Sequence, residues 1–172
     1  TSSDPIAGVL NDVLATQTSS PIISVNDVTV YKTESYAVFT ISLSRAANAS
    51  TTFTPSLSPV TATLNIDYTN SMQYFNGSSW VSISSTVSIA QGATSLQIRV
   101  PILNAGAASN RTFNLNTGVL TGSNVLNSDG AYGIGTIVPP LSAGAIATSQ
   151  TICVGATPAS LTSTTAASGG VG

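Results

Sequence analysis

The fold is decided by Thr94–Leu115, TSLQIRVPILNAGAASNRTFNL. Leu96, Ile98, Val100 and Ile102 alternate with Gln97, Arg99 and Pro101, the period-two pattern of a strand buried on one face. A small polar loop, Asn104 to Arg111, follows, and a second alternating run passes through Phe113 and Leu115. A strand, a loop and a second strand are expected here, with the rest of the chain packing against them.

Upstream, Ile22, Ile23 and Val25 predict a short strand, interrupted by Asn26-Asp27 and resumed by Val28 and Val30. Tyr36–Ser44 (YAVFTISLS) is the cleanest strand, with Ala37, Phe39, Ile41 and Leu43 facing inward. Thr51–Leu57 carries Phe53 and Leu57, but Pro55 cannot donate to a ladder, so an edge or bulged strand is expected. A further strand is predicted over Thr61–Tyr68 through Leu64 and Ile66. Met72–Ile83 reads as a hairpin, because Tyr74-Phe75 and Trp80-Val81 flank Asn76-Gly77-Ser78-Ser79, and Asn-Gly is a strong turn signal. Val87 and Ile89 form a strand closed by Gln91-Gly92; Val119–Val125 and Tyr132–Val138 complete the set before Pro139-Pro140. About seven short strands with regular turn signals describe an all-β, immunoglobulin-like Greek-key sandwich.

Residues 1–20 read as a linker or the end of a preceding module. Asp4-Pro5 followed by Ile6, Val9, Leu10, Val13 and Leu14 fits a short helix. Equally, Ser3–Leu10 echoes Ser128–Ile134 and so fits the last strand of an earlier repeat. Residues 21–140 form the sandwich. From Leu141 the composition shifts to Ala, Ser, Thr and Gly, and residues 141–172 read as a linker and the start of a following module; Thr148–Val154 is predicted as a strand, and residues 163–172 as a loose tail.

Composition narrows the function classes. Charged residues make up 6% of the 172, there is no histidine, and the net charge is −2, against about 25% charged residues in ordinary domains. Hydroxyls and amides cover the surface instead, as in secreted or cell-surface β-repeat proteins. No basic cluster exists to displace phosphate counterions, which argues against nucleic acid. No run approaches the roughly 20 apolar residues of a membrane-spanning helix. One cysteine, Cys153, has no internal partner. The chain does not begin with methionine and has no signal peptide, and it reads as a piece of a longer exported polypeptide. Without histidine and with isolated carboxylates, no nucleophile–base pair is suggested, so no enzyme is expected. The remaining catalytic possibility is a glycosidase-like pair among Asp27, Glu34, Asp67 and Asp129.

In order along residues 21–138, Ile23–Val30 (ISVNDVTV), Tyr36–Ser44, Ile66-Asp67-Tyr68, Ile89–Ser95 (IAQGATS), Val100–Leu103 (VPIL) and Arg111–Leu115 (RTFNL) resemble a Calx-beta domain. The resemblance implies an immunoglobulin-like sandwich, usually in tandem within large surface proteins, with a calcium site at one end. Glu34 and Asp67 match two ligand positions of that family, and Asp129 and Asn104 are further candidates. The acidic loop is missing: Asn104 and Ala105 stand where paired aspartates are usual, and Asn110-Arg111 replaces an acidic pair. A Ca²⁺ ion wants six to eight oxygens, several of them carboxylates. No cofactor is therefore expected, with Arg111 pairing to Glu34 or Asp67 in place of calcium; a degenerate calcium site that stiffens a hinge between repeats is the alternative.

The tail Thr151–Leu161 (TICVGATPASL) with Gly169-Gly170 is similar to the opening of Ig-like repeats in giant surface adhesins of gliding Bacteroidota, the SprB kind, exported by type IX secretion. That resemblance implies an extracellular, cell-surface setting and a role in adhesion or gliding motility. The implied partners are neighbouring domains of one long polypeptide and secretion or surface-anchoring machinery. The function expected is a non-catalytic spacer or adhesion module. The aromatic hairpin supplies the competing function: Tyr74, Phe75 and Trp80 either fold over the sandwich as a lid, or present a surface that stacks on glycans or fills a partner's pocket.

Overall fold

The computed structural model describes residues 20–104, 109–147 and 149–169. The helix-or-strand alternatives for residues 4–15, and Ala105 in the central loop, lie outside the described residues. Among those described there is no helix, and the strands are β1 (Ile23–Val25), β2 (Val28–Tyr31), β3 (Tyr36–Leu43), β4 (Thr51–Phe53), β5 (Ser56–Pro59), β6 (Gln73–Phe75), β7 (Trp80–Ser82), β8 (Val87–Ile89), β9 (Ser95–Pro101), β10 (Arg111–Asn116), β11 (Tyr132–Val138), β12 (Ala145–Ile146) and β13 (Ser163–Thr165).

Two sheets face each other: β1-β3-β9-β6-β7 and β2-β11-β10-β5, with β4-β8 pairing beside them. β3 and β9 pair antiparallel from Tyr36↔Pro101 to Ser42↔Ser95. In this register Ala37, Phe39, Ile41, Ile98 and Val100 point inward and are fully buried. Val30, Phe113, Leu115 and Ile137 meet them from the other sheet. Phe113 organises the centre: its ring lies edge-on to Phe39 at 5.9 Å and stacks on Tyr68 at 4.6 Å. Gly135 makes room for it, since a Cβ there would fall 2.5 Å from Phe113 Cζ.

At two places a nearly continuous run of chain passes from one sheet to another. Asn26-Asp27 carries it from β1 into β2: Asn26 Oδ1 accepts from Thr40 N at 2.6 Å, and Asp27 Oδ1 accepts from Ile134 N at 2.7 Å. Pro55 divides the predicted Thr51–Leu57 run, so that β4 pairs with β8 and β5 becomes the edge beside β10. β2 and β11 run parallel, from Val28↔Gly135 to Tyr31↔Val138. The chain consequently enters at the pole where Ile23 faces Leu43 and leaves at the opposite pole, where Lys32 N donates to Val138 O.

Three expected strands are corrected. Thr61–Tyr68 is a tight turn outside the sheets: Asp67 Oδ2 accepts from Thr63 N at 2.7 Å, Asn65 takes φ 63°, and Leu64 and Ile66 point to solvent. In Val119–Val125, Gly122 sits at φ 89° and follows Gly118 at φ 70°. The run makes one bridge, Thr121↔Thr52, and buries only Leu120 and Val125. The described part of Thr148–Val154 is not a strand; Cys153–Ala156 turns, with Ala156 N donating to Cys153 O. The tail instead pairs β12 with β13, both exposed, so part of the segment expected to be loose is in a hairpin.

Candidate functional site

Two places hold the residues singled out by sequence. The first is the exit pole. Ser35 O accepts from Ile102 N at 3.0 Å and Asp67 O accepts from Leu103 N at 2.8 Å, which brings the Glu34 turn, the Asp67 turn and the start of the Asn104 loop together. Both carboxylates are engaged in holding turns. Glu34 Oε1 accepts from Tyr31 N at 2.9 Å, and Asp67, buried, accepts from Thr63 N. Burial, and then the adjacent Asp67 carboxylate, push the Tyr68 phenol above its ordinary value of 10.0.

Asp129 does not join them. It lies in the loop between the end of β10 and the start of β11, at the entry pole, with the length of β10 between it and Arg111. Arg111 stands at the exit pole but makes no ion pair with Glu34 or Asp67; its Nη1 donates to Thr61 O at 3.1 Å, and its buried Nε has no partner. No group of three or more His, Cys, Asp or Glu side chains is gathered among the described residues. Two carboxylates committed to turns, beside an arginine with an unpaired N–H, do not fit a calcium ion, which needs a dense shell of anionic oxygens. The same placement separates Asp27 and Asp129 from Glu34 and Asp67 along the sandwich.

The second place is the outer face of the five-stranded sheet. Because side chains alternate, Tyr36, Val38, Gln97 and Arg99 stand on the face opposite the core. Gln73 lies opposite Arg99 and carries Phe75 to the same face, and Phe75 pairs with Trp80 across the hairpin. The loop is held by Asn76, whose Oδ1 accepts from Ser78 N and Ser79 N, while Gly77 takes φ 97°. Phe75 and Trp80 therefore do not cover the core: their rings sit 5.4 Å apart on the outside. Tyr74 alone turns inward and packs against the core.

The Arg99 guanidinium lies 4.0 Å from the Tyr36 ring centroid and 4.5 Å from that of Trp80. Its Nε donates to Gln73 Oε1 at 2.7 Å. Tyr36 and Arg99 were not among the expected site residues, since both read as the solvent side of strands. The one signal in the sequence is an arginine in mid-strand in a chain with four Lys and Arg.

Beside this face a cleft of about 450 Å³ opens between the hairpin and the β8–β9 turn, lined in part by Tyr74, Phe75, Asn76, Ser88, Ser95 and Gln97. It exists because the strands diverge. The β6–β9 ladder consists of Gln73↔Arg99 and Tyr74↔Ile98, whereas β9 continues to Ser95.

No family model matches the chain, and no curated protein matches it. Among solved structures it is similar to the apo form of the Calx CBD1 domain, at 10% identity over 69% of this chain and 98% of that one, with a TM-score of 0.46. It is similar also to the Calx CBD2 domain, at 10% identity over 67% and 86%, TM-score 0.48. A third is CBD12 from CALX1.2, at 10% identity over 66% of this chain and 44% of that one, TM-score 0.42.

Proposed function

We propose that this chain is a non-catalytic, Calx-beta-like spacer module of a long extracellular surface polypeptide, one that carries tension between neighbouring domains at the cell surface. The observation that supports this is the position of entry and exit at opposite poles, with β2 and β11 parallel neighbours. Tension applied on the two sides of the sandwich draws β2 toward one pole and β11 toward the other. Their ladder is then loaded in shear, along the strands, so its hydrogen bonds resist together rather than opening one at a time. Resistance of this kind is a property of the unfolding rate rather than of equilibrium stability. An adhesin of gliding bacteria exported by type IX secretion is the setting that the tail resemblance suggests. The test is single-molecule extension of the sandwich between Ile22 and Pro140, for which one all-or-none rupture is expected; gradual yielding at low force would remove the proposal.

A second reading has its own support. Phe75 and Trp80 stand on the outer face with an arginine between Trp80 and Tyr36, so the same module can hold a glycan or a partner surface there. Binding that is lost in Trp80→Ala at unchanged Tm is the expected result.

A further inference from the structure

We infer that the outer face of the five-stranded sheet is a binding site for carboxylate-bearing saccharides of the uronic-acid class, with Arg99 as the anion anchor. This deepens the second reading above and rests on it. Three observations point the same way.

First, Arg99 is held in place. Two ring faces and the Gln73 hydrogen bond fix its guanidinium, so little side-chain freedom remains to be lost when it binds. With Nε committed, the two terminal nitrogens have no acceptor among the described residues. A fixed guanidinium presenting open donors matches a carboxylate in shape as well as in charge.

Second, the face is electrostatically one-sided. The sequences of its strands, ISV, YAVFTISL, SLQIRVP, QYF and WVS, contain one arginine and no Asp or Glu. The described carboxylates all lie elsewhere: Asp27 at the sheet-changing kink, Glu34 and Asp67 in exit-pole turns, Asp129 in the entry-pole loop. In a chain of net charge −2, this is a local cationic spot with no counter-ion among the described residues, and it complements an anionic ligand.

Third, the surroundings suit a sugar more than a peptide terminus. Phe75, Trp80 and Tyr36 offer ring surface beside the cation. The adjoining cleft, of a size within the usual range for small-ligand sites, brings the amides of Gln97 and Asn76 and the hydroxyls of Ser88 and Ser95 to the same edge. Amides and hydroxyls against ring faces are the groups that hold saccharide hydroxyls and C–H faces, while Arg99 takes the carboxylate.

The probe is polygalacturonate, compared with its fully methyl-esterified form by isothermal titration against the 172-residue chain. Binding of the acid form is expected, weakened by added salt. Esterification and Arg99→Gln should each weaken it by about tenfold or more, the loss of a charged hydrogen-bonded pair. Gln97→Glu leaves the aromatic stack intact and places a carboxylate next to Arg99; it should weaken acid binding to a similar degree, so the inference stays testable if Arg99→Gln fails to fold. Equal binding of both polymers that is lost in Trp80→Ala would overturn the acidic-ligand inference and leave the contact surface standing. Absence of binding to either polymer at millimolar sugar would overturn both. A free peptide C-terminus that binds tightly where both polymers fail would replace the saccharide.

Discussion

Asp27 Oδ1 accepts a 2.7 Å hydrogen bond from Ile134 N, tying the start of β2 to the last strand of the sandwich. Its neighbour Asn26 grips Thr40 in the opposite sheet, so two adjacent side chains hold the point where the chain crosses between sheets. Asp27→Ala removes an exposed bond worth about 1 kcal/mol at equilibrium. Because the bond sits at the end of the β2–β11 ladder, the rupture force should fall by a larger fraction than the Tm. Comparing urea unfolding with extension of the same variant checks this.

Gly135→Ala should be among the most damaging small substitutions. Its Cβ would meet Phe113 Cζ and Cε1 at 2.5 and 2.6 Å and Phe39 Cζ at 3.0 Å, in the centre of the core. Overpacking of this kind costs about 1–3 kcal/mol. Denaturant titration should show a lower midpoint with an unchanged slope.

Calcium should leave the protein's stability where it is. Excess calcium raises the Tm of a protein that binds it in the folded state alone, and the exit pole has two carboxylates already committed to Tyr31 N and Thr63 N. Thermal melts in calcium and in chelator are expected to coincide. A separation of many degrees would restore the metal site.

Tyr68 sets an alkaline limit. Its folded-state phenol is raised above the unfolded value, by burial first and by Asp67 second. The stability it contributes is therefore complete below the unfolded value, about 10, and is lost as pH rises through the folded one. Tyr68→Phe should flatten the decline in stability above about pH 10 relative to the parent chain.

The sheets were legible in sequence wherever burial alternates along one strand: Ala37 to Leu43, Ile98 to Ile102, and Phe113 with Leu115 all point where their period places them. Thr61–Tyr68 misleads because Leu64 and Ile66 alternate, while the Asp67 carboxylate folds the backbone back onto Thr63, a side-chain bond that periodicity does not register. Val119–Val125 misleads for a related reason: Gly118 and Gly122 take positive φ, and the two buried residues, Leu120 and Val125, are five apart. The hairpin was readable from Asn76-Gly77, but its direction was not. Which of Tyr74, Phe75 and Trp80 faces outward depends on the pairing of β6 with β9, a long-range register. That register brings Gln73 and, through β7, Trp80 to Arg99, and the β3–β9 register brings Tyr36, so no local motif announces the cluster.

The most direct test of the spacer account compares two directions of pull on one sandwich. Cysteines replacing Ile22 and Pro140 load β2 against β11 from opposite poles; cysteines replacing Thr33 and Pro140 load the same ladder from one pole, with Cys153→Ser in both. The account predicts a markedly higher rupture force for the first pair, because the ladder is sheared, than for the second, where it peels residue by residue. Equal forces in the two directions would contradict it.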